Sequence, residues 1–297
     1  MIRNRILAVS ISLVLVAGLF VGCGSNENNS ANNNKATTEV SDKEAKYEDG
    51  IYFAQDENFA EESGWKSVVT IEVKDGKIVS ADWNGAHKNG GADKKTQSKN
   101  GTYGMKEYGK AQAEWHEQAE KAEAYLIEKQ DPTAIKYSND EGNTDAIAGV
   151  SIHVSDFFKL AEKALANGVV EKGAYKDGTY HAEQADFAEE SGWKETVDIT
   201  VINGNIVSAN WNGIHKDGGD DKKTQSISGA YGMVAYGNAQ AEWHEQAVKA
   251  EAFLLENQEP TAINYSDDEG HTDAISGVSV HVNSFFQLAE EALAGAK

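Results

Sequence analysis

Cysteine, proline and arginine are nearly absent from these 297 residues: one cysteine, two prolines, and arginine only at Arg3 and Arg5. A single thiol at Cys23 excludes intrachain disulfides, Cys-ligated zinc, iron–sulfur clusters and C-x-x-C-H haem attachment. If the protein handles electrons, cysteine sulfur and covalently attached c-type haem are not the carriers. Beyond residue 22 the basic side chains are 25 lysines against 48 acidic residues, a net charge of −23. That balance repels nucleic acid and anionic membrane surfaces. Without an arginine fork, any phosphate must be held by backbone N–H groups, lysine or hydroxyls.

The N-terminus has the form of a secretion signal. Arg3 and Arg5 precede an apolar stretch over residues 6–21, which ends at Gly22-Cys23. About 16 apolar residues are short for a membrane span. The run Leu19-Phe20-Val21-Gly22-Cys23 resembles a bacterial lipobox, with Phe20 where leucine is usual. The expectation is a signal peptide over 1–22, acylation of Cys23, and a lipid-anchored protein on the extracytoplasmic face of the cell membrane. Residues 23–45 are rich in Asn, Ser, Glu and Lys and read as a disordered tether.

After the tether the chain contains itself twice. Trp65, Trp83, Trp115 and Asp145 recur 128 residues later as Trp193, Trp211, Trp243 and Asp273. No insertion interrupts the match, and roughly two thirds of aligned positions are identical. The period exceeds that of solenoid repeats and suffices for a hydrophobic core in each copy. Two domains are expected, at 46–167 and 174–297, with a short connector between them.

Within a copy, strands precede helices. Residues 66–74 and 77–83 are rich in β-formers and joined by Asp75-Gly76, with Asn203-Gly204 at the same place in the second copy. These dipeptides between apolar alternations are strong hairpin signals. Val69, Ile71 and Val73 share one face, and Val79, Ala81 and Trp83 one face of the partner strand. A helix is predicted over 106–130, with Tyr108, Ala111, Trp115, Ala122 and Leu126 on one stripe and Pro132 just past its end. A last helix is predicted over 155–165 with Ser155 as N-cap. The order implies an α+β fold in tandem, each copy with a mainly antiparallel sheet and packed helices.

The segment with chemical character is Thr144-Asp145-Ala146-Ile147-Ala148-Gly149-Val150-Ser151, repeated as Thr272-Asp273-Ala274-Ile275-Ser276-Gly277-Val278-Ser279. It resembles the flavinylation motif of the FMN-binding domain family, in which an Asp, two variable residues, a small residue, Gly, a small residue and Thr or Ser follow in order. In that family a flavin transferase that consumes FAD joins the final hydroxyl to the phosphate of FMN. By this match Ser151 and Ser279 are the acceptors and Asp145 and Asp273 the motif acids. Val150 and Val278 depart from the family's usual Ala, adding bulk that leaves Thr144 and Thr272 as alternative acceptors. Gly149 and Gly277 permit tight turns and a possible N–H nest for an anion.

The resemblance, leader included, is to Gram-positive lipoproteins described as flavin carriers and as peptide-pheromone precursors. It implies an electron carrier, not an enzyme, with two covalent FMN groups. Electrons would pass from a membrane NADH dehydrogenase or quinone pool to ferric iron or soluble flavins. The alternative is a flavin-free solute- or metal-binding surface lipoprotein, with a pheromone cut from the leader. Trp83 and Trp211 are candidates to stack on the isoalloxazine ring, whereas Trp65, Trp115 and their repeats read as core. Residues 88–98 and 216–226, Gly- and Lys-rich, read as exposed loops near a ligand or as plain surface. His87, His116, His153 and their repeats read as solvated or core-rim side chains, and no metal site is expected, since no H-x-x-x-H pair occurs.

Overall fold

The computed structural model describes residues 46–297. The signal peptide, Cys23 and the tether lie outside the described residues. Copy 1 comprises β1 (Gly50–Gln55), β2 (Trp65–Lys74), β3 (Lys77–His87), α1 (Lys94–Lys99), α2 (Trp115–Lys129) and α3 (Ser155–Asn167). Copy 2 comprises β4 (Gly178–Glu183), β5 (Trp193–Ile202), β6 (Asn205–His215), α4 (Lys222–Ile227), α5 (Met233–Gly237), α6 (Trp243–Asn257) and α7 (Asn283–Leu293). Each copy forms one three-stranded antiparallel sheet in the order of its sequence, so the fold is α+β.

The hairpins form where the turn residues allow. Asp75 and Gly76 have φ of 53° and 69°, and Asn203 and Gly204 have 52° and 73°. Two consecutive left-handed residues match the right-handed twist of the flanking strands. β3 runs on to His87, beyond the predicted end, and β1 is an addition. A bulge opposite Glu72/Val73 removes Val79 from the face it was expected to share. Ile78 takes the inward place at 1% exposure and Val79 is 47% exposed.

The predicted helix over 106–130 begins only at Trp115. Glu114 stops it from extending backward: its carboxylate accepts the Met105 and Lys106 N–H groups at 2.9 and 3.2 Å. Glu114 also forms a capping box with Glu117. The preceding segment therefore folds over the helix start, and Tyr108, assigned to the apolar stripe, is exposed, as is its repeat Tyr236. At α3 the residue in the N-cap position is Val154, not Ser155, and no side chain caps it.

One sheet face carries Val69, Ile71, Val73 and Trp83 against Trp115, Ala119, Ala122 and Leu126 of α2 and Phe157 and Phe158 of α3. Copy 2 builds the same core separately from the equivalent residues. Each large apolar side chain so buried contributes about 1.5–3 kcal/mol. The opposite faces meet in a smaller cluster of Val68 and Ala86 with Ile202 and Val207. Hydrogen bonds cross there, from Thr200 Oγ1 to the Gly91 carbonyl at 2.7 Å and from Ser208 Oγ to the His87 carbonyl at 2.6 Å.

Candidate functional site

The motif loop joins the turn after α2 to the start of α3, and internal hydrogen bonds hold it. Thr144 Oγ1 donates to the Lys136 carbonyl at 2.7 Å and accepts the Ala146 N–H at 3.1 Å. Thr272 does the same with Asn264 and Ala274. Both threonines are buried, at 4% and 5% exposure. They are loop anchors, and the expectation that they serve as alternative acceptors is corrected on that ground.

Ser151 and Ser279 are exposed. A single buried side chain anchors each of these serines. Gln118, on α2, accepts the Ser151 N–H at 2.7 Å, the Ser151 hydroxyl at 3.2 Å and the Ile152 N–H at 3.2 Å. Its amide nitrogen donates to the Ala113 carbonyl at 3.1 Å. Gln246 makes the same contacts with Ser279, Val280 and Ala241. Sequence reasoning missed both glutamines. The signal was a polar residue three positions after Trp115 and four before Ala122, within the apolar stripe.

Lysine supplies charge to the motif loop. Lys121 Nζ donates to the Gly149 carbonyl at 3.1 Å, and Lys249 to that of Gly277 at 3.1 Å. A Cβ on either glycine would lie 2.6 or 2.5 Å from that ammonium, and both have φ of 72°. Val150 and Val278 are partly buried and pack against the core. Asp145 and Asp273 are exposed.

Val280 and His281, which follow Ser279, line a cleft of about 420 Å³. Trp193, Tyr231, Met233 and Trp243 form its apolar walls, with Lys222 and Glu195 as the charged pair inside. Lys222 Nζ lies 3.0 Å from Glu195 and 4.4 Å from the centre of a Trp243 ring. Glu195 also accepts from Trp211 Nε1 at 3.0 Å and from the Ser284 hydroxyl. The equivalent positions in copy 1 hold Trp65, Tyr103, Met105, Trp115 and Lys94, but Ser67 replaces Glu195. Lys94 Nζ faces the rings of Trp65, Tyr103 and Trp115 at 5.5, 5.0 and 4.8 Å. Burial pushes its pKa down to about 8, and Asp156 offsets this only in part.

Three expectations therefore change. Trp83 and Trp211 are 3% and 1% exposed and stack on Phe157 and Phe285 at 5.3 Å, so the core takes them from any flavin. The aromatic residues at the cleft are instead Trp193, Tyr231 and Trp243. Residues 88–98 and 216–226 are not plain exposed loops. They run into α1 and α4, and Lys95 and Lys223 are tied to Glu123 and Glu251 at 2.6 Å. Finally, not all histidines stand alone: Glu269, His271 and His281 come together. His271 was overlooked because it occurs in copy 2 only, with Asn143 at the matching place.

A solution NMR structure of a protein from Clostridium thermocellum is 65% identical to this chain, covering 40% of it and 90% of that protein, with a TM-score of 0.33. A crystal structure of a Clostridium perfringens protein is 30% identical, covering 41% and 88%, also with a TM-score of 0.33. The chain belongs to one family with these clostridial proteins. No family model and no curated protein matches the chain.

Proposed function

We propose that the chain is an extracytoplasmic electron-transfer lipoprotein carrying one covalent FMN on each copy, at Ser151 and Ser279. Electrons would pass from a membrane NADH dehydrogenase or quinone pool to acceptors such as ferric iron or soluble flavins. The observation that carries this reading is the pairing of an exposed motif serine with an aromatic cleft beside it, on a loop whose backbone a buried glutamine fixes. Bound FMN would supply reversible redox chemistry that no side chain here offers.

The residues fit such a group. The cleft volume lies within the range of small-molecule sites, and its walls are apolar and aromatic. Lys121 and Lys249 place a cation two residues from the acceptor, as an arginine-free phosphate site needs. Gln118 and Gln246 orient the acceptor but cannot activate it, because a neutral amide oxygen is not a general base. Removal of the serine proton therefore falls to the modifying enzyme, the expected flavin transferase. A surface-held carrier also gains from a covalent bond, since a dissociable cofactor would be lost by diffusion.

Intact mass after co-expression with a flavin transferase tests the reading. The mature chain should gain two FMN groups, Ser151→Ala and Ser279→Ala one each, and the double variant none. Full loading of the double variant would assign the flavin elsewhere. No loading of the unsubstituted chain would favour the flavin-free binding protein.

A further inference from the structure

Glu269, His271 and His281 each offer a ligand atom, and these atoms lie within 4.8 Å of one another. His281 Nε2 is 3.8 Å from Glu269 Oε2, and the two imidazole rings are 4.2 Å apart at 75°. The loop is already organised around Asp267. Its Oδ1 accepts the N–H groups of Glu269, Gly270 and His271, each at 3.0 Å, and its Oδ2 meets His271 Nδ1 at 2.6 Å. A carboxylate only accepts, so Nδ1 of His271 donates to it and Nε2 is the ring nitrogen that faces away from Asp267. A carboxylate behind a histidine is the arrangement that orients a metal ligand and raises its basicity.

We propose that copy 2 carries a divalent transition-metal site of the zinc class, built from Glu269, His271 and His281 with Asp267 as positioning residue, and that copy 1 lacks it. Two imidazoles and one carboxylate suit Zn²⁺ and similar borderline ions, with a fourth position left to solvent or substrate. Bond lengths of about 2.0–2.1 Å place tetrahedral ligands roughly 3.4 Å apart. The exposed side chains of Glu269 and His281 have to rotate by little more than an ångström to reach that spacing.

Copy 1 provides the internal comparison. Glu141 and His153 keep their places at 3.6 Å. Asn139 and Asn143 replace Asp267 and His271, joined side chain to side chain at 2.8 Å, and Asn143 also holds the Ser151 carbonyl at 2.9 Å. Ligand and orienting carboxylate have thus changed together while the loop backbone is kept. His181, the other histidine between two carboxylates, meets Asp198 through one ring nitrogen and Glu183 through the other. Those nitrogens point apart and cannot close on one ion.

The test is titration of the chelator-treated full chain with Co²⁺ and Zn²⁺ at about 0.15 M salt, where screening weakens diffuse binding to the acidic surface. One tight equivalent is expected, with cobalt absorption typical of nitrogen–oxygen coordination. His271→Asn, which installs the residue copy 1 tolerates, should remove it. Asp267→Asn should weaken it about 10–100-fold. Asn139→Asp with Asn143→His should create a second equivalent, a gain that misfolding cannot mimic. Absence of a tight equivalent, or one that His271→Asn leaves unchanged, overturns the proposal.

Discussion

The two copies share a backbone and a core, yet they differ at three places that matter chemically. Near the motif loop, Asn139 and Asn143 become Asp267 and His271. In the aromatic cleft, Ser67 becomes Glu195 while Asp156 becomes Ser284, so the acid near the buried lysine moves from a helix start to a strand. On the outer sheet face, Val79 is exposed and Val207 is buried in the contact between copies. The anchors that hold the motif serine, Gln118 and Gln246, do not differ at all. The copies therefore look alike in how they present the motif serine and unlike in the charge around it.

The largest effect should come from the shared core. Trp83→Ala and Trp211→Ala each remove a ring stacked between aromatic neighbours and should cost about 3–5 kcal/mol. The two cores have no buried residue in common. Calorimetry should accordingly show one copy's transition falling by roughly 10–20 °C while the other stays in place. Two transitions that move together would show instead that the copies unfold as one unit.

The next effect separates the clefts by sign. Lys94 has no carboxylate within 4.0 Å among the described residues, and burial brings its pKa to about 8 from an ordinary 10.5. Unfolding between those pH values takes up a proton, so stability rises as pH climbs from about 8 to 10.5. At neutral pH the buried charge costs up to about 3 kcal/mol, from the 2.5-unit difference. Lys66, also brought to about 8 by burial, contributes a similar rise. Lys94→Met should therefore stabilise copy 1 at pH 7 and remove about half of the alkaline gain. Lys222→Met should destabilise copy 2 by a comparable amount, because it leaves Glu195 a largely buried charge without its cation. Denaturant midpoints against pH decide it; equal slopes with and without Lys94 would refute the assignment.

Much of this was legible in the residues, for reasons that also mark the limit. The 128-residue offset, the Asp-Gly and Asn-Gly turns and the 2.0 and 3.6 periods are local signals, and hairpins, helices and tandem organisation follow from them. The early start assigned to α2 failed because a distant carboxylate, Glu114, competes for the backbone of Met105 and Lys106. Trp83 was read from its polar sequel, Asn84-Gly85, whereas the strand alternation that turns it inward is set by pairing with Val69. The exposed serine was legible from the motif. Its glutamine anchor was not, because it lies 33 residues away on another element.

The smallest prediction concerns the face between the copies. Val207 is fully buried against Val68, Ala86 and Ile202, while its equivalent Val79 is 47% exposed at the bulge. Val207→Ala should cost about 1–2 kcal/mol, from two methyl groups at about 0.8 kcal/mol each plus a partial cavity. Val79→Ala should change stability by no more than about 0.5 kcal/mol, as for other surface substitutions. Because Val207 touches copy 1, its loss should not be confined to copy 2. A cycle with Val68→Ala should give an interaction energy of about 0.5 kcal/mol or more, whereas Val79→Ala with Val68→Ala should be additive. Additivity in both cycles would mean that the small apolar cluster does not couple the copies. The hydrogen bonds from Thr200 and Ser208 to Gly91 and His87 would then be left to hold them together.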